Sequence, residues 1–187
     1  TDLSTAGWID EVDGDLYVDG ETAALGASAL DTYTAETPGY DRTAMFGPAW
    51  STMIDGCDTR NRILQRDFAT FTLASGSTCT VTTGVFDDPY SGETLDFQRT
   101  NFPNPGDGNS SFIQIDHIIP LKAGWNGGAS GWTQEKRVEL ANDPANLWAS
   151  KGSLNGSKGD RLYDSWTVPN TEFTCQYVAQ MVWVATK

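Results

Sequence analysis

Residues 112–120 read FIQIDHIIP, and the course of this stretch decides the fold. Ile113 and Ile115 alternate with Gln114, the period of a strand with one buried face, and Pro120 halts the run. The spacing predicts a strand over residues 112–118 that delivers Asp116 and His117. Neighbouring side chains on a regular strand leave on opposite faces, so the pair can serve one site only where the strand ends or bends. His117 is the only histidine in 187 residues, and neutral imidazole is well suited to accept a proton near neutral pH. Asp116 offers a hard oxygen ligand. An Asp-His pair by itself is more often a hydrogen-bonded surface pair than a base, so its weight depends on the residues downstream.

Two later stretches change that weight. Residues 142–147, NDPANL, and 151–160, KGSLNGSKGD, add Asn146, Asn155 and then Lys158. Asp, His and two Asn followed by Lys suit a metal-dependent phosphodiester-cleaving site. Such chemistry needs a base to ready a water and a cation to neutralise charge on the phosphoryl and leaving oxygens. Taken alone, residues 154–160 read equally as an exposed turn. Both Asn residues lie beyond a helix expected over residues 133–141, with Thr133 as its N-cap and Lys136, Arg137 and Glu139 on its polar side.

The remaining pattern is α+β. A short helix is expected over residues 21–30 and an amphipathic one over 58–68, capped by Asp58, with Ile63, Leu64 and Phe68 on one face. Strands are expected over 79–86 and 94–97, joined by the turn DDPYSG. Residues 176–186, QYVAQMVWVAT, read as a buried helix, and 103–110 as a flexible surface loop. A hydrophobic content of 39% with seven Trp argues against disorder, and the length suits a single domain. No apolar run approaches the roughly 18 residues of a membrane span. The chain opens at Thr1 with neither Met nor a leader, so any signal peptide is expected to have been removed or to lie upstream.

The net charge of −13 opposes nucleic-acid binding, which draws on Lys and Arg displacing counterions from phosphates. Its distribution matters more than its sum. Residues 1–41 carry ten acids and no base; residues 42–187 carry 15 acids against 12 bases, leaving −3. The region of Asp116 and His117 is therefore nearly balanced. Modest affinity, strong salt dependence and little sequence preference are expected of any nucleic-acid contact there. Residues 10–21, DEVDGDLYVDGE, resemble a calcium loop in length but lack oxygen side chains at the third and fifth positions and Gly at the sixth. An acidic hairpin with a turn at Asp13 and Gly14 is favoured; a weak Ca²⁺ site is the alternative. Cys57 and Cys79 bracket the second helix, and a bridge between them is expected, worth about 3 kcal/mol.

IDHIIPL, ANDPANLWAS and LNGSKGD in that order resemble the HNH nucleases of the His-Me finger group, in particular the secreted endonuclease family with a DUF1524-type domain. GYDR (39–42), FGPAW (46–50), CDTRNRILQRDF (57–68), PYSG (89–92) and CQYV (175–178) resemble the same family. The similarity runs from about residue 23, dividing the chain into an acidic arm, 1–22, and a nuclease domain, 23–187. It implies a ββα-metal core in which His117 is the general base, Asp116 and Asn155 are metal ligands, and Asn146 pins the loop that holds the histidine. Asn155 would open the helix that closes the core. Lys158 would contact a substrate phosphate. Arg60, in the CDTRN motif, would either stabilise the transition-state phosphate or pair with Asp58 or Asp67. HNH sequences often carry a second His where Asn155 stands. Two oxygen ligands favour one Mg²⁺ or Mn²⁺ ion over zinc. Trp125, Trp132 and Trp148 either stack on bases or, as favoured, anchor the core and loops. Related chains supply a partner for Cys175 from a C-terminal tail; without one, Cys175 would be a buried thiol. The function implied is a secreted endonuclease acting on DNA, with RNA as a second substrate; the sequence does not decide the oligomeric state, and a monomer is favoured. The alternatives are an inactive acidic binding module on the same scaffold, or a toxin or restriction effector.

Overall fold

The computed structural model describes residues 8–12, 15–30, 36–48, 50–53, 55–99 and 111–187, with residues 9–12, 15 and 16 described by their backbone alone. The turn at Asp13 and Gly14, the side chains a calcium loop would use there, and the loop over 103–110 lie outside the described residues. The fold is mixed α and β, with small antiparallel sheets and several helices.

The first unit is the hairpin β1 (Ile9–Val12) and β2 (Asp15–Val18), followed by α1 (Gly20–Ser28). Asp19 caps α1 by accepting from the Thr22 amide at 2.8 Å. Trp8 and Val18 pack with Trp183 and Val184 of α7 (Thr174–Ala185). Helix α2 (Arg42–Phe46) is short and buries Phe46 against Leu121, Trp125 and Ala141.

Helix α3 (Thr59–Asp67) begins where Asp58 accepts from the Asn61 amide at 2.7 Å and buries Ile63 and Leu64. A disulfide joins Cys57 to Cys79 across 22 positions. The bridge ties the start of α3 to the segment leading into β4. Strands β3 (Thr70–Leu73), β4 (Val81–Asp88) and β5 (Glu93–Gln98) form an antiparallel sheet in that order. Gly84 lets β4 pass beneath Phe68, since a Cβ there would lie 2.4 Å from that ring and 2.6 Å from the Thr70 carbonyl. The inner face buries Val81, Phe86, Leu95 and Phe97 with Ile63 and Leu64, and this core continues onto Ile113 and Ile115.

Strand β6 (Ile113–His117) pairs antiparallel with β7 (Leu147–Lys151), His117 opposite Leu147, and β7 runs directly into α6 (Gly152–Lys158). Between the strands lie α4 (Leu121–Asn126) and α5 (Gln134–Asn142), the latter capped by Thr133, which accepts from the Lys136 amide at 3.3 Å. Gly152 is required at the turn from β7 into α6. Its amide donates to the Phe112 carbonyl at 2.7 Å, and a Cβ would stand 2.1 Å from the Ser111 carbonyl. Residues 154–160, which in isolation read as a turn, are thus largely helical, and Asn155 sits within α6 and not at its start. Cys175 is exposed, which corrects the expectation of a buried thiol.

Candidate functional site

Strand geometry separates Asp116 from His117 as the alternation requires. Gln114 and Asp116 face α6, where Asn155 and Lys158, one turn apart, meet them. The Asn155 Nδ2 donates to Gln114 Oε1 at 2.8 Å. The Lys158 ammonium donates to both Asp116 carboxylate oxygens, at 2.8 and 2.7 Å, and to the His117 carbonyl at 2.6 Å. Tyr90, at the tip of the β4–β5 hairpin, donates its hydroxyl to Asp116 Oδ2 at 2.6 Å. Asp88 holds that tip by accepting from the Ser91 hydroxyl at 2.6 Å. Lys158 is fully buried and Asp116 nearly so. Burial raises the Asp116 carboxyl and lowers the Lys158 ammonium, desolvation outweighing their attraction.

His117 leaves the opposite face. Its Nε2 lies 2.9 Å from the Ala141 carbonyl at the end of α5. A carbonyl oxygen only accepts, so Nε2 carries the hydrogen and Nδ1 is the basic atom. Nδ1 has no protein partner among the described residues. The ring stacks on Trp50, centroids 5.6 Å apart and planes 11° apart. Burial lowers its pKa to about 4, and the Arg42 and Lys158 cations push the same way.

Asn146 is completely buried. Its Oδ1 accepts from the Ile119 amide at 2.7 Å, its Nδ2 donates to the Ile119 carbonyl at 3.2 Å, and its own carbonyl accepts from the Ile118 amide at 2.9 Å. Those bonds fix the turn immediately after His117. Asp116, His117 and Asn155 line one cavity of about 310 Å³, with Lys122 and Asp160 paired at 3.1 Å on its rim. A second cavity of about 370 Å³, lined by Trp50, Phe46 and Asn142 among others, opens on the other side of His117.

Two expected substrate contacts lie elsewhere. Lys158 is spent on Asp116 inside the protein and does not meet solvent. Arg60 donates to the Ile113 carbonyl at 2.9 Å, at the far end of β6, and lines neither cavity; burial lowers it to about 10, still cationic at neutral pH. Asp67 is taken by Arg66, at 2.5 Å. Trp125 is buried with its indole donating to the Thr37 carbonyl at 3.0 Å, and Trp148 packs on Phe173. Tyr90, Trp50 and Arg42 are neighbours of Asp116 and His117 that sequence reasoning left without a role. Each stands inside a motif that carried the resemblance, PYSG, FGPAW and GYDR, and membership of those motifs was the one signal that could have found them.

Residues 58–186 match the family of GmrSD restriction endonucleases, C-terminal domain. The chain belongs to that family. The matched GmrSD segment takes in Asp116, His117, Asn146, Asn155 and Lys158, and leaves Arg42 and Trp50 upstream. A relative from Arthroderma benhamiae, described as an uncharacterized secreted protein, is 34% identical over 151 residues. The match covers 80% of this chain and 65% of the relative, so the chain spans a little under two thirds of that protein's length. No solved structure gives a significant match. Among the described residues no helix is long and apolar enough to cross a membrane.

The donor set fits one hard cation. A carboxylate has about four lone-pair sites. Side chains occupy two of them on Oδ2 and one on Oδ1, so Oδ1 is the less committed oxygen of Asp116. The Asn155 side-chain Oδ1 accepts no hydrogen bond among the described residues, and Asn155 lines the same cavity. Two such oxygens leave the rest of the coordination to water and substrate, the manner in which Mg²⁺ and Mn²⁺ are commonly held. Among the described residues no three His, Cys, Asp or Glu side chains converge as a cage.

Proposed function

We propose that this GmrSD-family domain is a divalent-metal-dependent endonuclease of the HNH type, hydrolysing phosphodiesters of DNA and, secondarily, RNA with little sequence preference. The observation that carries this reading is the state of His117: Nε2 is committed to the Ala141 carbonyl, and burial keeps the imidazole neutral, so Nδ1 is free to take a proton from water. Strands β6 and β7 followed by α6 have the order of a ββα-metal unit. In that unit His117 is the base, Asp116 and Asn155 are the metal ligands, and Asn146 is the residue that fixes the His117 turn. When bound there, Mg²⁺ or Mn²⁺ would neutralise the charge that builds on the phosphoryl and leaving oxygens. Tyr90 and Lys158 orient the Asp116 carboxylate, and Trp50 holds the plane of the His117 ring. Extracellular action is part of the proposal, supported by the relative's description as secreted and by the disulfide.

One observation favours a second reading, an inactive binding module on the same scaffold: Lys158 already occupies both Asp116 oxygens. Digestion of plasmid DNA and total RNA separates the two. The nuclease reading expects cleavage that chelator abolishes, that magnesium or manganese restores, and that His117→Ala lowers by roughly 10²-fold or more. Cleavage surviving both chelator and His117→Ala would overturn it.

A further inference from the structure

Arg42 differs from every other cation of the chain. Of the 12 Lys and Arg residues, Arg62, Arg66, Lys122, Lys151, Lys158 and Lys187 are in ion pairs. Arg60, Arg99, Arg137 and Arg161 donate to backbone carbonyls, and Lys136 lies over the Trp132 ring. Among the described residues Arg42 alone has no hydrogen bond, ion pair or ring contact, in a protein of net charge −13. It is exposed, and it lines both cavities that meet at His117. Its electrostatic effect reaches the His117 ring.

Its backbone is held firmly. Asp41 caps α2 by accepting from the Ala44 amide at 2.8 Å. The far end is gripped by α5, where Gln134 donates to the Ala44 carbonyl at 3.0 Å and Arg137 to the Met45 carbonyl at 3.0 Å. Phe46 anchors the helix in the core. A fixed element therefore carries a guanidinium with all its donors unspent to the edge of the site.

We propose that Arg42 is a catalytic residue that grips the scissile phosphate, its planar fork donating to non-bridging oxygens while His117 Nδ1 takes the proton from the attacking water. An unpaired cation beside a buried neutral base suits a ligand that brings its own negative charge, and a phosphodiester does. The bidentate geometry distinguishes Arg from Lys at such a position. This assignment rests on the nuclease reading above and supplies the phosphate contact that Lys158 and Arg60, by their placement, do not.

The test uses the full chain with Arg42→Ala, Arg42→Lys, His117→Ala and, as a control for the loss of one surface charge, Lys136→Ala. Arg42 is exposed and bonds to nothing in the protein, so its variants should melt with the parent. Cleavage of plasmid DNA with Mn²⁺ is expected to lose roughly 10²-fold in kcat in Arg42→Ala, with partial recovery in Arg42→Lys and no loss in Lys136→Ala. Binding of a short fluorescein-labelled DNA duplex, measured by anisotropy across salt in the His117→Ala background, should lose about one unit of the log K against log salt slope when Arg42 is replaced. If the parent cleaves and His117→Ala does not, yet Arg42→Ala keeps the parental kcat or the parental salt slope, the assignment is overturned and the nuclease reading stands. If the parent cleaves nothing with either metal, the nuclease reading fails and the role of Arg42 falls with it.

Discussion

The three-stranded sheet and the two-stranded sheet share one core but bury opposite kinds of side chain. Strand β4 turns Val81 and Phe86 inward against α3 and is stapled by the Cys57–Cys79 bridge. Strand β6 starts the same way, with Ile113 and Ile115, and then buries Asp116 and His117. Apolar burial contributes about 25 cal/mol per Å², whereas a buried ion pair often fails to recover its desolvation cost. One sheet holds the fold together; the other spends part of that stability on a dry, preorganised charge arrangement.

Substitution should expose this contrast. Phe86→Ala is expected to cost about 3–5 kcal/mol in chemical denaturation, and no polar substitution in the β6 region should compensate. Lys158→Met strands the Asp116 carboxylate and should cost a similar amount, about 3–5 kcal/mol. Here, however, adding Asp116→Leu should restore most of the loss while removing metal-dependent cleavage. Failure of the double variant to recover would mean that the pair is itself a source of stability. Opening the bridge with Cys57→Ser and Cys79→Ser should cost about 3 kcal/mol, seen as a lower melting temperature with the metal requirement unchanged.

The pH dependence of stability sharpens the comparison. In the unfolded chain His117 titrates near 6.5 and in the fold at about 4, so between these values the unfolded state binds more protons. The contribution is complete above pH 6.5 and is lost as pH falls toward 4, up to roughly 3 kcal/mol. Asp116, shifted upward, acts in the opposite sense, so the effect is read as the difference between the parent and His117→Gln, which should lack the slope from this site. The smallest effect is Asn146→Ala, which removes the two side-chain bonds to Ile119 and should cost about 1–2 kcal/mol with a lower kcat and little change in KM.

Residues 112–118 could be read as a strand because Ile113, Gln114 and Ile115 alternate, and Asp58 and Thr133 announce their helices as caps. Strand β7 was not legible: LWASK is short, carries one half-buried Trp, and becomes a strand only by pairing with β6. Helix α6 was implied only by the resemblance, because Gly152 and Gly156, residues of poor helix propensity that tertiary contact overrides, mask it in the local pattern. The burial of Lys158 follows from that helix and could not be read from its place in a Gly- and Ser-rich run. Arg60 stands in a telling motif, and the fold places it at the Ile113 end of β6. Strand β3 and helices α2 and α4 span four to six residues, too few for a period to declare itself. For Arg42 the GYDR motif was the only signal in the sequence; what marks the residue in the fold is the absence of partners that the other cations possess.

Because His117 is the only histidine, its ring nitrogens can be followed by ¹⁵N NMR without ambiguity. A neutral ring protonated on Nε2, with Nδ1 bare, is expected from pH 8 down to about 5. A midpoint near 6.5, or a hydrogen residing on Nδ1, would contradict the assignment of His117 as a buried, neutral base.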